Sequence, residues 1–328
     1  MNKIFFYISL ALLFSCKTQK QETKTGANKF ATISANILDK AVLAGGKIIR
    51  VDSFPSKFIT PRPVDVWLPE NYSENKKYAV LYMHDGQNLF DATTTWNKQE
   101  WMIDEVATKL MKDNVTKDFI VVGIHNIPAI RWQDLFPEKA MNYLSKEDKE
   151  AIYKEAEKNN FSTNLKGDEY LQFLVNELKL YVDATYSVYT NRENTFVAGS
   201  SMGGLMSMYA VAEYPNIFAG AACISTHWVG ASPKKDNKLP IAIFAYLEAN
   251  LPDAKTHKMY FDYGNKTLDA FYPQYAPKVD SIFTNGDYTT SNYKNLFFEG
   301  TNHSELSWQK RVNIPLTFLL KKRIDSIR

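Results

Sequence analysis

The chain has 328 residues, of which 45% are hydrophobic and 23% charged, the make-up of a soluble globular protein long enough for one large α/β domain or two small ones. A formal net charge of +3 is too small for a phosphate-binding surface, and no basic run lies on one helix or loop, so no nucleic-acid partner is expected. The 5 histidines are scattered without ligand spacing, and neither a metal nor a cofactor is expected. Aromatics are plentiful (6 Trp, 19 Tyr, 20 Phe), enough to fill a core and to line a cleft suited to sugar faces or aryl groups.

Lys3 makes the N-terminus positive, and residues 4–14 form an apolar stretch too short to cross a bilayer as a helix, the pattern of a secretory signal. It closes on Leu13-Phe14-Ser15-Cys16, which resembles the lipobox of bacterial lipoproteins: leucine three before the cysteine, a small residue just before it, and Cys16 as the acylated first residue of the mature chain. That resemblance implies export across the inner membrane and a place in the bacterial envelope, periplasm or outer membrane, with a lipid at Cys16 as the membrane contact. The alternative is an ordinary signal peptide with an incidental Cys16. Residues 17–45 read as a flexible tether, polar and free of aromatics over 17–29. With Cys16 lipidated or removed, Cys223 has no disulfide partner, and its small apolar neighbours mark it as a buried filler.

Residues 46–328 read as one catalytic domain, without repeat or internal linker. Residues 46–53 and 64–68 are β-rich, with Pro61 and Pro63 at the turn between them. The runs 78–83, 119–124 and 195–198 are continuously apolar, as strands buried on both faces are, and 218–224, 259–263 and 296–298 complete the set. Helical patterns lie between them at 100–111, 168–182, 202–213 (ended by Pro215), 240–251 and 308–320. Strands alternating with helices predict an α/β fold, a mostly parallel central sheet with helices on both faces. Residues 137–167 break the rhythm with a charge-dense helix over 146–158, either a cap over a cleft or a solvated surface helix.

The run Gly199-Ser200-Ser201-Met202-Gly203 follows a predicted strand and opens a predicted helix. A serine hydroxyl becomes a useful nucleophile when a sharp strand-to-helix turn projects it beside a base, and the glycines keep that bend free of side chains. Ser201 is therefore the candidate nucleophile. The base is expected in the loop after the last strand, where Gly300-Thr301-Asn302-His303 stands; His84, His125, His227 and His257 do not have the required order. The acid is expected after the penultimate strand, which points to Asp269, with Asp262 inside that strand as the second choice. Two backbone N–H groups should hold the oxyanion, one at Met202 and one at Gln87, where Gly86 lets the backbone approach. The alternative for Asp85 and Asn88 is that they cap that turn.

The run Met83-His84-Asp85-Gly86-Gln87-Asn88-Leu89-Phe90-Asp91, the 199–203 turn and Gly300-Thr301-Asn302-His303 together resemble the esterase family that groups esterase D-like enzymes, bacterial feruloyl and acetylxylan esterases and enterochelin esterases, α/β-hydrolases like those of carbohydrate esterase family 1. The resemblance spans residues 64–320. It implies the α/β-hydrolase fold and hydrolysis of carboxylic esters by a serine esterase without cofactor, and it supports Ser201, His303 and Gln87 at matching positions. By analogy the substrate is a small-molecule or oligosaccharide ester, carbohydrate-linked or aryl or alkyl. His84, Asp85, Arg131, Trp132, Trp228 and Trp308 are candidates for touching it; for Arg131, a salt bridge near Asp134 or Glu138 is the plainer alternative. Acyl transfer to a sugar on the same fold and a non-catalytic glycan-binding surface protein are the competing whole-protein readings. The composition leaves the oligomeric state open.

Overall fold

The long apolar runs of the sequence become the middle of a nine-stranded sheet. The structure, a computed structural model, describes residues 32–322 apart from 160 and 235, so the signal-like stretch and Cys16 lie outside the described residues. The strands are β1 (Asn36–Ile37), β2 (Lys47–Phe54), β3 (Arg62–Leu68), β4 (Ala79–His84), β5 (Phe119–Ile124), β6 (Thr195–Ser200), β7 (Gly220–Ile224), β8 (Lys258–Tyr263) and β9 (Tyr293–Phe297). Their order is β1-β2-β3-β5-β4-β6-β7-β8-β9, antiparallel from β1 through the β3–β5 pair and parallel from β5 to β9. The α/β-hydrolase fold expected from the sequence is the one observed.

Every residue of β4, β5 and β6 is buried, which is why these segments carry no polar alternation. On one face, Leu81, Met83, Phe119, Val121 and Phe196 pack under α1 (Ile103–Lys112) and the C-terminal helix Asn313–Leu320. Each fully buried side chain of this size contributes about 1.5–3 kcal/mol relative to exposure. On the strand order, the chain places β5 on one side of β4 and β6 on the other. In an open α/β sheet that reversal leaves a crevice at the carboxyl ends of the flanking strands. The turn after β4 and the turn after β6 both open there.

The remaining helices are α2 (Arg131–Leu135), α3 (Lys146–Lys158), α4 (Gly167–Phe173), α5 (Lys179–Thr185), α6 (Met202–Glu213), α7 (Leu239–Ala249), α8 (Ala276–Asn285), α9 (Glu305–Trp308) and α10 (Asn313–Leu320). A π-turn, Leu174–Leu178, joins α4 to α5 inside the amphipathic stretch expected at 168–182. The helix expected over 308–320 is two helices, because Pro315 lacks an N–H and its ring would collide with the carbonyl four residues earlier in a continuous helix. The tether expected up to residue 45 is docked over its last part. Asn36–Ile37 pairs with β2, Val42 N–H donates to Asp91 (3.1 Å), and Ala44 N–H donates to Asp104 (2.7 Å).

In the 137–167 excursion, Ser145 caps α3 by accepting from Asp148 N–H (3.0 Å), and Ile152 and Ala156 are the buried positions of that helix. Tyr143 packs edge-on against Tyr246 of α7, Lys139 pairs with Glu213 of α6, and Phe161 lies on Trp132. The excursion thus leans on the helices flanking the crevice, with the charged side of α3 turned to solvent.

Candidate active site

β6 ends in the sharp turn that carries Ser201, which sits at φ 58°, ψ −120°, a region costly for a residue with a Cβ. Three backbone bonds hold it there: Ser201 N–H to Ile224 O (2.9 Å), His227 N–H to Ser201 O (3.2 Å) and Leu205 N–H to Ser201 O (3.1 Å). A Cβ on Gly199 would stand 2.7 Å from the Gly203 carbonyl carbon, so the two glycines are what allows helix α6 to start so close to the strand. Met202 is the first residue of α6, where the N–H has no partner within the helix. The elbow therefore sets the Ser201 hydroxyl, 7% accessible, beside a helix N-terminus that favours negative charge.

After β9 the chain turns at Gly300 and presents His303, whose backbone N–H donates to Thr267 Oγ1 (3.0 Å). His303 Nδ1 lies 2.6 Å from Asp269 Oδ1, and the Asp269 side chain is wholly buried. The carboxylate accepts, so Nδ1 carries the proton in the neutral ring and Nε2 carries the free lone pair. Asp269 Oδ2 accepts two further bonds, from Ser225 Oγ and from Gly264 N–H, both 2.7 Å. Tyr272 joins the two halves of the site. Its ring meets His303 edge-on at 5.9 Å, its hydroxyl lies beside that of Ser201, and it donates to His227 Nδ1 (2.8 Å). His227 Nε2 donates to Ala231 O (2.8 Å), and burial pushes this histidine down to about 4, so it is a fixed neutral acceptor for the tyrosine.

Asp262, the second choice for the acid, has another occupation. It is buried against Arg311 (2.9 Å and 3.2 Å) and accepts from Ser225 N–H and Tyr260 OH. Burial raises its pKa, with the Arg311 charge opposing. Of the two carboxylates, Asp269 alone is hydrogen-bonded to His303.

The loop after β4 forms a short turn of 3-10 helix, Gly86–Asn88, entered by Asp85 at φ 59°. A Cβ on Gly86 would stand 2.5 Å from the Gly123 carbonyl carbon of β5, so the loop can lie flat on the sheet only with glycine here. Gln87 is anchored by its side chain, whose Oε1 accepts from Asn126 N–H (3.1 Å). Asp85 is gripped by Arg131 through both oxygens (2.8 and 2.7 Å) and by Asn126 (2.6 Å). Burial would raise its pKa, but Arg131 and Asn126 outweigh that and hold it below the usual carboxylate range. Asp85 makes no side-chain cap to its own turn: it ties the loop to α2, and Arg131 pairs with it rather than with Asp134 or Glu138.

Several residues considered for substrate contact serve as supports. His84 is buried with Nδ1 on Tyr170 OH (2.8 Å), and desolvation pushes it down to about 4. Trp132 donates to Gly230 O (2.8 Å) from a buried position. Trp228 is sandwiched between Phe244 and Phe261 in the core, and Trp308 donates to Ser225 Oγ (3.0 Å) while its ring meets His303 edge-on at 5.0 Å. Apolar side chains of this size find more to bury against in the core than at a cleft wall. Arg131 keeps 27% of its side chain exposed and remains available at the crevice. Tyr272, His227, Ser225 and Arg311 belong to the site but were absent from the sequence-based list; no local motif marks them. Among the described residues, Glu100, Asp104 and Glu105 bring carboxylate oxygens within 4.8 Å of one another and are the group able to hold a cation, beside the backbone pairing of Trp101 with Asn88.

A hydroxyl on a strained elbow and a histidine hydrogen-bonded to a buried carboxylate, at the carboxyl ends of a mostly parallel sheet, define a serine esterase of the α/β-hydrolase class. The chain belongs to the family described as "Putative esterase", which matches residues 56–314. An uncharacterized Bacillus subtilis (strain 168) protein, YjcH, is 24% identical over 195 residues, 58% of this chain and 68% of its own length. Among solved structures, a ferulic acid esterase superposes with a TM-score of 0.60 at 17% identity, covering 85% of this chain and 98% of that one. The CE1 ferulic acid esterase of Anaeromyces mucronatus gives 0.56 at 19% identity (84% and 92%), and the enterobactin esterase of Shigella flexneri 0.59 at 16% identity (85% and 60%). At such identities these likenesses establish the fold.

Proposed function

We propose that this esterase cleaves carboxylic esters through an acyl-enzyme on Ser201, with His303 as general base and acid and Asp269 as its orienting carboxylate. The observation that carries the reading is the 2.6 Å bond from His303 Nδ1 to the wholly buried Asp269, which leaves Nε2 as the acceptor for the Ser201 proton. Ser201 Oγ attacks the ester carbonyl while its proton passes to His303 Nε2. The oxygen of the tetrahedral intermediate is received by the N–H groups of Met202 and Gln87. His303 then protonates the departing alcohol, and a water deprotonated by the same nitrogen releases the acid. The His303 side chain is 14% exposed, so an acceptor, water in the hydrolytic reading, can reach the acyl-enzyme. The substrate class follows by likeness to structures titled as ferulic acid and enterobactin esterases: an aryl or alkyl acyl group on a sugar or other small alcohol.

The test is hydrolysis of p-nitrophenyl acetate and methyl ferulate by the wild-type protein and by Ser201→Ala. Wild type should turn over both esters, and the variant should fall to background. Equal rates from the two proteins, whether high or nil, refute the role of Ser201.

A further inference from the structure

The strongest unassigned feature is the hydrogen-bond cluster beneath the carboxylate that orients His303. Ser225 follows β7, is wholly buried and stands at φ 42°. Its hydroxyl has three neighbours: Asp269 Oδ2 at 2.7 Å, Trp308 Nε1 at 3.0 Å and Arg311 Nη2 at 2.9 Å. Indole and guanidinium nitrogens only donate. Both lone pairs of the serine oxygen are therefore taken, and its single proton has one acceptor left, Asp269. A hydroxyl that elsewhere rotates freely is committed here to one direction.

Arg311 is itself immobile. Asp262 holds it through two oxygens, and Asp262 in turn accepts from Ser225 N–H (3.0 Å) and Tyr260 OH (2.9 Å). A fixed cation on the oxygen of an O–H group polarises that bond and strengthens what it donates. Asp269 Oδ2 thus receives one polarised hydroxyl and the Gly264 N–H, and Oδ1 is left to His303. The cluster draws on three distant parts of the chain: the residue after β7, β8 with the loop that follows it, and α9 with the turn before α10. Nothing in it opens to solvent, so substrate cannot touch it.

We propose that Ser225, braced by Arg311, is a positioning residue that fixes the orientation of Asp269 and through it the basicity of His303. The inference rests on the reading of Ser201, His303 and Asp269 as the reacting group and its two partners. Removing the hydroxyl concentrates the carboxylate charge on the His303 side, so the imidazolium is held more tightly and the ring stays protonated to higher pH. The neutral ring is the working form, so the acid limb of the rate profile should move upward.

The experiment compares wild type, Ser225→Ala, Ser225→Gly and Ser201→Ala on p-nitrophenyl acetate across pH. Glycine also lacks the hydroxyl and is at ease at φ 42°, so it serves should the alanine variant fold poorly. Both Ser225 variants should lose roughly 10- to 100-fold in kcat, the scale of one hydrogen bond to a charged group, with KM unchanged and the acid limb displaced to higher pH. The low-field proton resonance of the His303–Asp269 bond, identified by its loss in Asp269→Ala, should shift in both variants without any substrate present. A uniform loss of rate with an unmoved limb and an unmoved resonance overturns the positioning role while leaving Ser201 in place. Wild type no faster than Ser201→Ala overturns the reading of the site and the kinetic part of this inference together; the resonance then still reports whether Ser225 governs the His303–Asp269 bond.

Discussion

Asp269→Asn is the substitution whose outcome the geometry specifies most closely. Asparagine has nearly the size of aspartate, but it must place one oxygen and one NH2 where aspartate has two acceptors. Oδ2 faces the Gly264 N–H at 2.7 Å, a backbone donor that cannot turn away, and the Ser225 hydroxyl at the same distance. The amide oxygen is therefore driven to that side and the NH2 to the other, 2.6 Å from His303 Nδ1. Two donors cannot share that contact, so the ring adopts the tautomer with its lone pair on Nδ1 and its hydrogen on Nε2. Nε2 then has nothing with which to take the Ser201 proton. A tautomer loss of this kind costs about 10⁴ in turnover, or ~5.5 kcal/mol of transition-state stabilisation. The fold should survive, because the buried cavity stays filled.

Asp262→Asn is the matched control. It would leave the Arg311 guanidinium, 3% exposed, without its buried counter-charge, at about 3–5 kcal/mol of stability and hence a melting temperature lower by roughly 6–20 °C. Its folded fraction should retain far more activity than Asp269→Asn. Steady-state hydrolysis of p-nitrophenyl acetate alongside thermal unfolding separates the two. Asp269→Asn within tenfold of wild type, or Asp262→Asn silent yet as stable as wild type, would show the roles to be exchanged.

Two further outcomes follow from the geometry. Gly86→Ala places a methyl 2.5 Å from the β5 backbone, so the oxyanion loop must lift; kcat should fall by about 10²–10³ with a smaller change in KM, and a loss under threefold would remove Gln87 N–H from the mechanism. Burial, then the neighbouring Glu105, raises Asp104 from 3.8 to about 7, and Glu100 is likewise raised to about 7. A carboxyl whose folded pKa lies above its unfolded one favours the folded state fully at low pH, and that advantage is lost as pH rises through 4 to beyond 7. Asp104→Asn should therefore raise the melting temperature at pH 8 more than at pH 5; equal changes at both would contradict the shift.

The strands of the central sheet were legible because burial on both faces leaves an unbroken apolar run that no surface element needs, as 78–83 and 119–124 illustrate. Helix ends were less so. Pro315 divides the final helix, and Met102 at φ 54° delays the start of α1 to Ile103, both effects of one residue's backbone rather than of periodicity. The abundance of tryptophan suggested cleft walls; Trp132, Trp228 and Trp308 are all buried, Trp132 beside a cavity it lines with Ile152 and Phe161. Aromatic content reports how much surface can be buried, not where.

By itself the sequence singled out Ser201 as the candidate nucleophile, because the steric demand of the strand-to-helix bend is written into five adjacent residues, and His303 as the candidate base through its place after the last strand. It could narrow the acid only to two aspartates seven positions apart on one strand and its loop. What separates them is tertiary: the loop of Asn265 and Lys266 bonds to the Thr301 carbonyl and so carries Asp269 to His303, while Asp262 faces Arg311. Ser225 and Arg311 lie 44 and 42 positions from Asp269, and Tyr272 lies 71 from Ser201. Hydrogen-bond partners that far apart in the chain leave no spacing to read, so only the folded sheet, which sets the ends of β6, β7 and β8 side by side, decides what orients the base.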